Sequence, residues 1–297
     1  VRKIMSFGKI LGIFGSIFKK DGSVTIPEVT VTGSVPPPVV PAPVEKESKV
    51  NIPVRNPSAV TGSQFMEQNM KLGGDVREKN IVNELLTGNV PDFLRNLAEV
   101  TVSNANGKIT FYVMTDYVCI GTNEDYVRIP MSPLSAQKVA DAFGCTLPTR
   151  KMVDDIWKNA AIKLAPLPWG PPYDASMHST DRYVKHNAKI QKQLAGKDFT
   201  KLIAGHNKDV VLTNRLAPNN PKKRVAIYGW FNADGTVIQG LNPTSHEDTY
   251  ADYSHGIRFI SRKVLVNGVE KDIVDVFKDP ILSGLVSDEG ILSFVRY

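Results

Sequence analysis

Hydrophobic and polar positions change period several times along the chain, and each change marks an expected element. Between Ile4 and Phe18, apolar residues are interspersed with Gly, Ser and Lys9, and Lys19-Lys20 close the run. At about 1.5 Å per residue such a helix is roughly 22 Å long, short of the ~30 Å hydrocarbon core. Residues 1–20 are therefore read as a short membrane-seeking, interfacial helix. Gly8, Gly12 and Ser16 fall four apart and permit close helix contact. A secretory signal is the alternative, but Lys9 breaks the apolar run and no small-x-small cleavage site precedes Lys19. Val24–Thr32 is β-prone, and seven of the 20 prolines then lie between Pro36 and Pro57, predicting a semi-rigid polyproline spacer. The expected organisation is a membrane-associating helix over 1–20, an extended Pro-rich linker over 21–59 and a globular domain over 60–297.

Within that domain the period alternates between 3.6 and 2. Asp75 and Glu78 resemble a capping box before a helix ending at Gly88, with Val76, Ile81, Val82, Leu85 and Leu86 on one face. A short helix is expected over Pro91–Leu97. Val100–Val102 and Ile109–Met114 flank Asn106-Gly107, a type I′ hairpin signal. Helices are expected over Pro133–Phe143, from the Thr149 cap to Leu164, and over the polar stretch 180–195. Strands are expected at Val210–Thr213, Val225–Trp230, Thr236–Gln239, Gly256–Ile260 and Lys263–Val266, with turns at Asp234-Gly235 and Asn267-Gly268. Runs of helices followed by hairpin-linked strands predict an α+β fold, helices packed on a mostly antiparallel sheet.

Composition changes this picture only at the N-terminus. Five of the 36 Lys and Arg fall in the first twenty residues without an acid, leaving 31 bases against 30 acids in the rest. A near-neutral body lacks the basic face that nucleic acid requires. The positive N-terminus fits an anionic membrane surface, so no nucleic-acid partner is expected.

Candidate chemistry concentrates in Tyr250-Ala251-Asp252-Tyr253-Ser254-His255-Gly256-Ile257-Arg258, where titratable groups run into the apolar Phe259 and Ile260. Strand alternation places Tyr253, His255, Ile257 and Phe259 on one face and Asp252, Ser254 and Arg258 on the other. Ser254 and His255 thus cannot form a dyad with each other. His255 is the expected base, Asp252 or Tyr253 the orienting groups, and Arg258 with Ser254 the substrate contacts. His206, in a loop before a strand, and Trp169, in the loop 166–172, are further binding candidates. The residues Ser245-His246-Glu247-Asp248, with Asp252 and His255, offer N and O ligands, yet no zinc-type spacing exists. No metal and no cofactor is expected. His178 and His186 read as surface residues.

Cys119 and Cys145 are too few for a disulfide scaffold. Cys145 lies just ahead of the helix that Thr149 caps, and a helix N-terminus stabilises thiolate. A cysteine near a helix start, followed about a hundred residues later by a histidine opening a strand, resembles the chain order of NlpC/P60 and papain-like cysteine hydrolases. The resemblance covers Cys145 and His255 only, and the Asp-Cys-Ser/Gly surroundings of the NlpC/P60 enzymes are missing. It implies Cys145 as nucleophile; the bland alternatives are a buried core thiol or a bridge to Cys119.

These features together predict a membrane-associated or exported, envelope-directed hydrolase acting on peptidoglycan or another cell-surface polymer. The alternative is a non-enzymatic surface or virion structural protein that binds glycan. A third is a membrane-perturbing protein whose active part is residues 1–20.

Overall fold

A computed structural model of the chain describes residues 49–216 and 223–297. The expected helix over 1–20 and most of the expected linker over 21–59 lie outside the described residues. Helices α1 (Gly62–Gln68) and α2 (Gly74–Leu86) come first, followed by β1 (Ala98–Asn104), β2 (Gly107–Val113), β3 (Cys119–Gly121) and β4 (Tyr126–Arg128). The middle holds α3 (Pro133–Ala142), β5 (Cys145–Thr146), α4 (Arg150–Asn159), β6 (Ile162–Lys163) and α5 (Thr180–Leu194). Then come β7 (Ile203–Ala204), β8 (Lys208–Val210), β9 (Ile227–Phe231), β10 (Val237–Asn242) and β11 (His255–Gly256). The last are β12 (Ile260–Ser261), β13 (Lys263–Val266), β14 (Val269–Asp272) and α6 (Ile273–Lys278).

Six strands form an antiparallel sheet in the order β14-β13-β2-β12-β5, with β1 also paired to β2. A four-stranded sheet runs β10-β9-β8-β11; its β8/β11 pair is parallel and the others antiparallel. Helices pack with these sheets around a core that includes Phe65, Leu85, Phe111, Phe143, Ile156, Phe259 and Phe277. The architecture is α+β with mainly antiparallel pairing, as the residue pattern predicts.

Local chemistry explains several boundaries. Thr61 and Gln64 exchange side-chain-to-backbone bonds at the start of α1, a complete capping box. Thr149 accepts from the Met152 amide and starts α4, whose Met152, Val153 and Ile156 are buried. Asn267 and Gly268 both take positive φ (50° and 83°) between β13 and β14, the geometry that matches the strand twist.

Other expectations shift. The first hairpin turns at Ala105-Asn106, because Asn104 pairs with Gly107 and its side chain accepts from the Asn106 amide. Helix α2 follows Gly73 with no side-chain cap; Glu78 instead accepts from the Ser132 amide, linking α2 to the start of α3. Val76, expected on the apolar face, is 49% exposed. The expected strand Gly256–Ile260 is split, since β11 belongs to the four-stranded sheet and β12 to the six-stranded one. The stretch between them crosses from sheet to sheet, so simple alternation does not govern it. Residues 49–59, expected as linker, pack on the body. Val50 is buried, Asn51 donates to the Phe143 carbonyl and Arg55 to the Asn89 side chain.

Candidate functional site

The parallel β8/β11 pair sets His255 opposite Lys208. The turn before β11 is organised by Asp252. Its Oδ1 accepts from the amide and the hydroxyl of Ser254 (2.8 and 2.6 Å), and its Oδ2 accepts from the Tyr250 hydroxyl at 3.0 Å. Such side-chain-to-backbone bonding is what aspartate contributes to tight turns. The turn fixes the Tyr250 ring among three imidazoles. His246 stacks on it at 3.7 Å between centroids, His178 meets it edge-on at 4.7 Å, and His255 lies 5.4 Å away.

His178 is the most constrained of the three. Its Nδ1 lies 2.7 Å from the Ala251 carbonyl, which can only accept, so Nδ1 carries the proton and Nε2 of the neutral ring is an acceptor. The Tyr183 hydroxyl donates to the same carbonyl at 3.3 Å. From α2, the Arg77 guanidinium donates to the His178 carbonyl (2.7 Å) and Thr180 hydroxyl (3.0 Å), and lies over the Tyr183 ring. The start of α5 is thereby tied to α2 and to the 250–255 turn. His178, His246, Tyr250, Arg77 and Arg224 line one open cleft of about 480 Å3, with Asp75, Glu78 and Glu247 also on its walls.

Burial sets the electrostatics. His255 is 1% exposed and neither ring nitrogen has a hydrogen-bond partner among the described residues. Burial lowers it to about 4 against the opposing pull of Asp252, so it is neutral at pH 7. Burial works against charge on Asp252 as well, but His255, Lys208 and the Ser254 bonds outweigh it and hold the carboxyl at about 2. His246 is shifted down by burial, again opposed by Asp252. Lys208 is depressed by the same cause, and its ammonium lies 4.3 Å from the Trp230 ring centroid.

The sequence candidates separate into three groups. His255, Asp252 and Ser254 belong to the Tyr250 cluster, but none lines the cleft, and His255 meets it only through Tyr250. Tyr253 is buried and accepts from the Trp169 amide at 2.6 Å, while the Trp169 ring is covered by Arg182 and Lys189 at 4.1 and 3.9 Å. Trp169 is therefore not a free platform.

Arg258 and His206 are corrections of a different kind, because both are fully buried framework. Arg258 donates to the Met114 and Ile203 carbonyls and lies over Tyr117, beside Asp209. His206 bonds to Asp116, which also holds Arg128 in a bidentate pair. Neither can reach a ligand.

Cys145 is the clearest correction. It is 1% exposed within the apolar core, its pairing partner is Ser261 of β12, and burial alone raises the thiol far above its ordinary range. A protonated core thiol does not attack substrate. Cys119 is likewise a buried free thiol, so no bridge joins the two. His186, read as a surface residue, is buried edge-on to Tyr253. Among the described residues no group of three His, Cys, Asp or Glu side chains converges to hold a metal ion.

No protein-family model, curated protein or solved structure matches this chain.

Sequence reasoning missed Arg77, Tyr183, Lys208 and Arg224, and read His178 only as a surface residue. For Arg77 a signal existed: with Ile81 and Leu85 it falls at four-residue spacing, a cation inside an otherwise buried stripe.

Proposed function

We propose that this chain is an envelope-directed hydrolase of peptidoglycan or another cell-surface polymer, with its chemistry at the Tyr250-centred imidazole cluster. The observation that carries the reading is His178, its Nδ1–H held by a backbone carbonyl and its Nε2 left as an acceptor in a polar cleft. That is the arrangement of an oriented general base. Nε2 takes a proton from water as the oxygen adds to the scissile centre, Arg224 meets the developing negative charge, and the same imidazole returns the proton to the leaving group. His246 supplies a second imidazole on the other contact of Tyr250. Asp252 acts through Tyr250 and Ser254, and His255, the base expected from sequence, acts from behind Tyr250 as a neutral packing group. No role remains for Cys145.

The membrane-seeking helix over 1–20 and the Pro-rich segment belong to the same proposal: the first holds the protein at an anionic membrane surface and the second gives it reach. Among the described residues no helix is long and apolar enough to cross a membrane.

The burial of His255 favours a second reading, in which the cleft binds glycan without cleaving it. One assay separates the two. The full chain incubated with purified cell walls is expected to lower their turbidity and release soluble fragments. Cosedimentation with walls that stay intact would replace the hydrolase reading with the binding one.

A further inference from the structure

A second groove adjoins the cleft. Asp75, Glu78 and Thr249 line both cavities, so these three residues form the sill between them. Beyond the sill the groove, about 330 Å3, runs between α2 and α3. Its lining follows helix periodicity: Asp75, Lys79 and Val82 recur at three- and four-residue spacing on α2, and Leu134 and Lys138 are one turn apart on α3. Glu78 accepts from the Ser132 amide, so the two walls are held in fixed relation at the sill.

The two compartments differ in chemistry. The cleft presents imidazoles, phenols and both charge signs. The groove also carries both signs, with Asp75 and Glu78 at the sill and Lys79 and Lys138 beyond it, where Leu134 is 43% exposed beside the buried Val82. Neither Lys79 nor Lys138 pairs with a carboxylate among the described residues, whereas Lys151 and Lys185 do. Unpaired ammonium groups beside the exposed Leu134 complement a unit that carries a carboxylate next to a small apolar group.

We propose that the α2/α3 groove is a second subsite for the adjacent unit of the same polymer chain. Its ligand class is an acidic glycopeptide-like unit, with the carboxylate at Lys79 and Lys138 and the apolar part on Leu134 and Val82. The polymer crosses the Asp75–Glu78–Thr249 sill. This rests on the hydrolase reading for the nature of the polymer, but the subsite itself is a statement about binding.

The test uses the full chain and the variant Lys79→Glu/Lys138→Glu, two exposed positions outside the proposed catalytic machinery. Affinity is measured for purified peptidoglycan strands and for a single-repeat fragment. The double variant is expected to lose at least tenfold in affinity for the strand and less than twofold for the single repeat. Leu134→Ser is expected to show the same strand-selective loss. Equal affinity of variant and wild type for the strand overturns the subsite, as does an equal loss on strand and single repeat, or absence of strand binding by the wild type. Strand binding without cleavage, with the selective loss retained, leaves the subsite standing and overturns the hydrolase reading instead.

Discussion

At the scale of single residues, the described body buries several titratable groups, among them three imidazoles. His186, His206 and His255 are held at about 3, 4 and 4, in each case first by burial. Asp209 is pushed the other way, to about 6, by burial against the counter-pull of Arg258. The sign of the consequence follows from which state binds the protons. Unfolded imidazoles titrate near 6.5, so between pH 6.5 and 4 the unfolded chain takes up to three protons that the folded chain refuses. Asp209 opposes this by one, because its folded carboxyl protonates near 6 and its unfolded one only near 3.8. Each net proton is worth about 1.4 kcal/mol per pH unit. The urea midpoint is therefore expected to be flat from pH 8 to 7 and to fall steeply between pH 6 and 4.5. A midpoint that rises or stays level across that window would show that these imidazoles are not buried neutral. Residue identity was legible only as clustering: the run 250–258 falls at the turn where three imidazoles surround Tyr250, but which side chains reach solvent depends on neighbours from α2 and α5 that no local pattern supplies.

At the scale of elements, the legible features were those fixed by near neighbours. The Thr149 cap, the Asn267-Gly268 turn and the amphipathic stripe of α4 follow from a few adjacent residues. The illegible ones were decided at a distance. Glu78 leaves its expected capping role for the Ser132 amide, and the expected strand after His255 divides between two sheets.

The segment 49–59 is the strongest case, since its prolines read as linker while its backbone is clasped by the body. Gly88 has φ +81°, and a Cβ there would lie 2.1 Å from the Pro53 carbonyl oxygen. Arg95 donates to that oxygen and to the Gly88 carbonyl. Gly88→Ala must accept left-handed backbone, about 1–2 kcal/mol for a residue with a Cβ, and also displace the strap. A loss of at least about 2 kcal/mol in chemical unfolding is expected, with faster proteolysis inside 49–59. A variant as stable and as resistant as wild type would show that the strap is not part of the folded body.

At the scale of the whole molecule, the fold class was readable because long helices and hairpin-linked strands leave different periods in the chain. The candidate site was not, because its cleft is assembled where α2, the start of α5 and the 245–251 turn meet, and those lie far apart in sequence. The same assembly removes the cysteine from consideration, since Cys145 packs in the core while the histidines of the cleft gather around Tyr250.

The most direct measurement is the rate of soluble fragment release from purified peptidoglycan by the full chain, alongside His178→Gln and Cys145→Ala at matched folded concentration. General acid–base catalysis contributes roughly 10²–10⁴-fold. His178→Gln is accordingly expected to lose at least about a hundredfold, and Cys145→Ala to stay within about twofold of wild type. Wild-type release by His178→Gln, or abolished release by a folded Cys145→Ala, would contradict a centre built on His178.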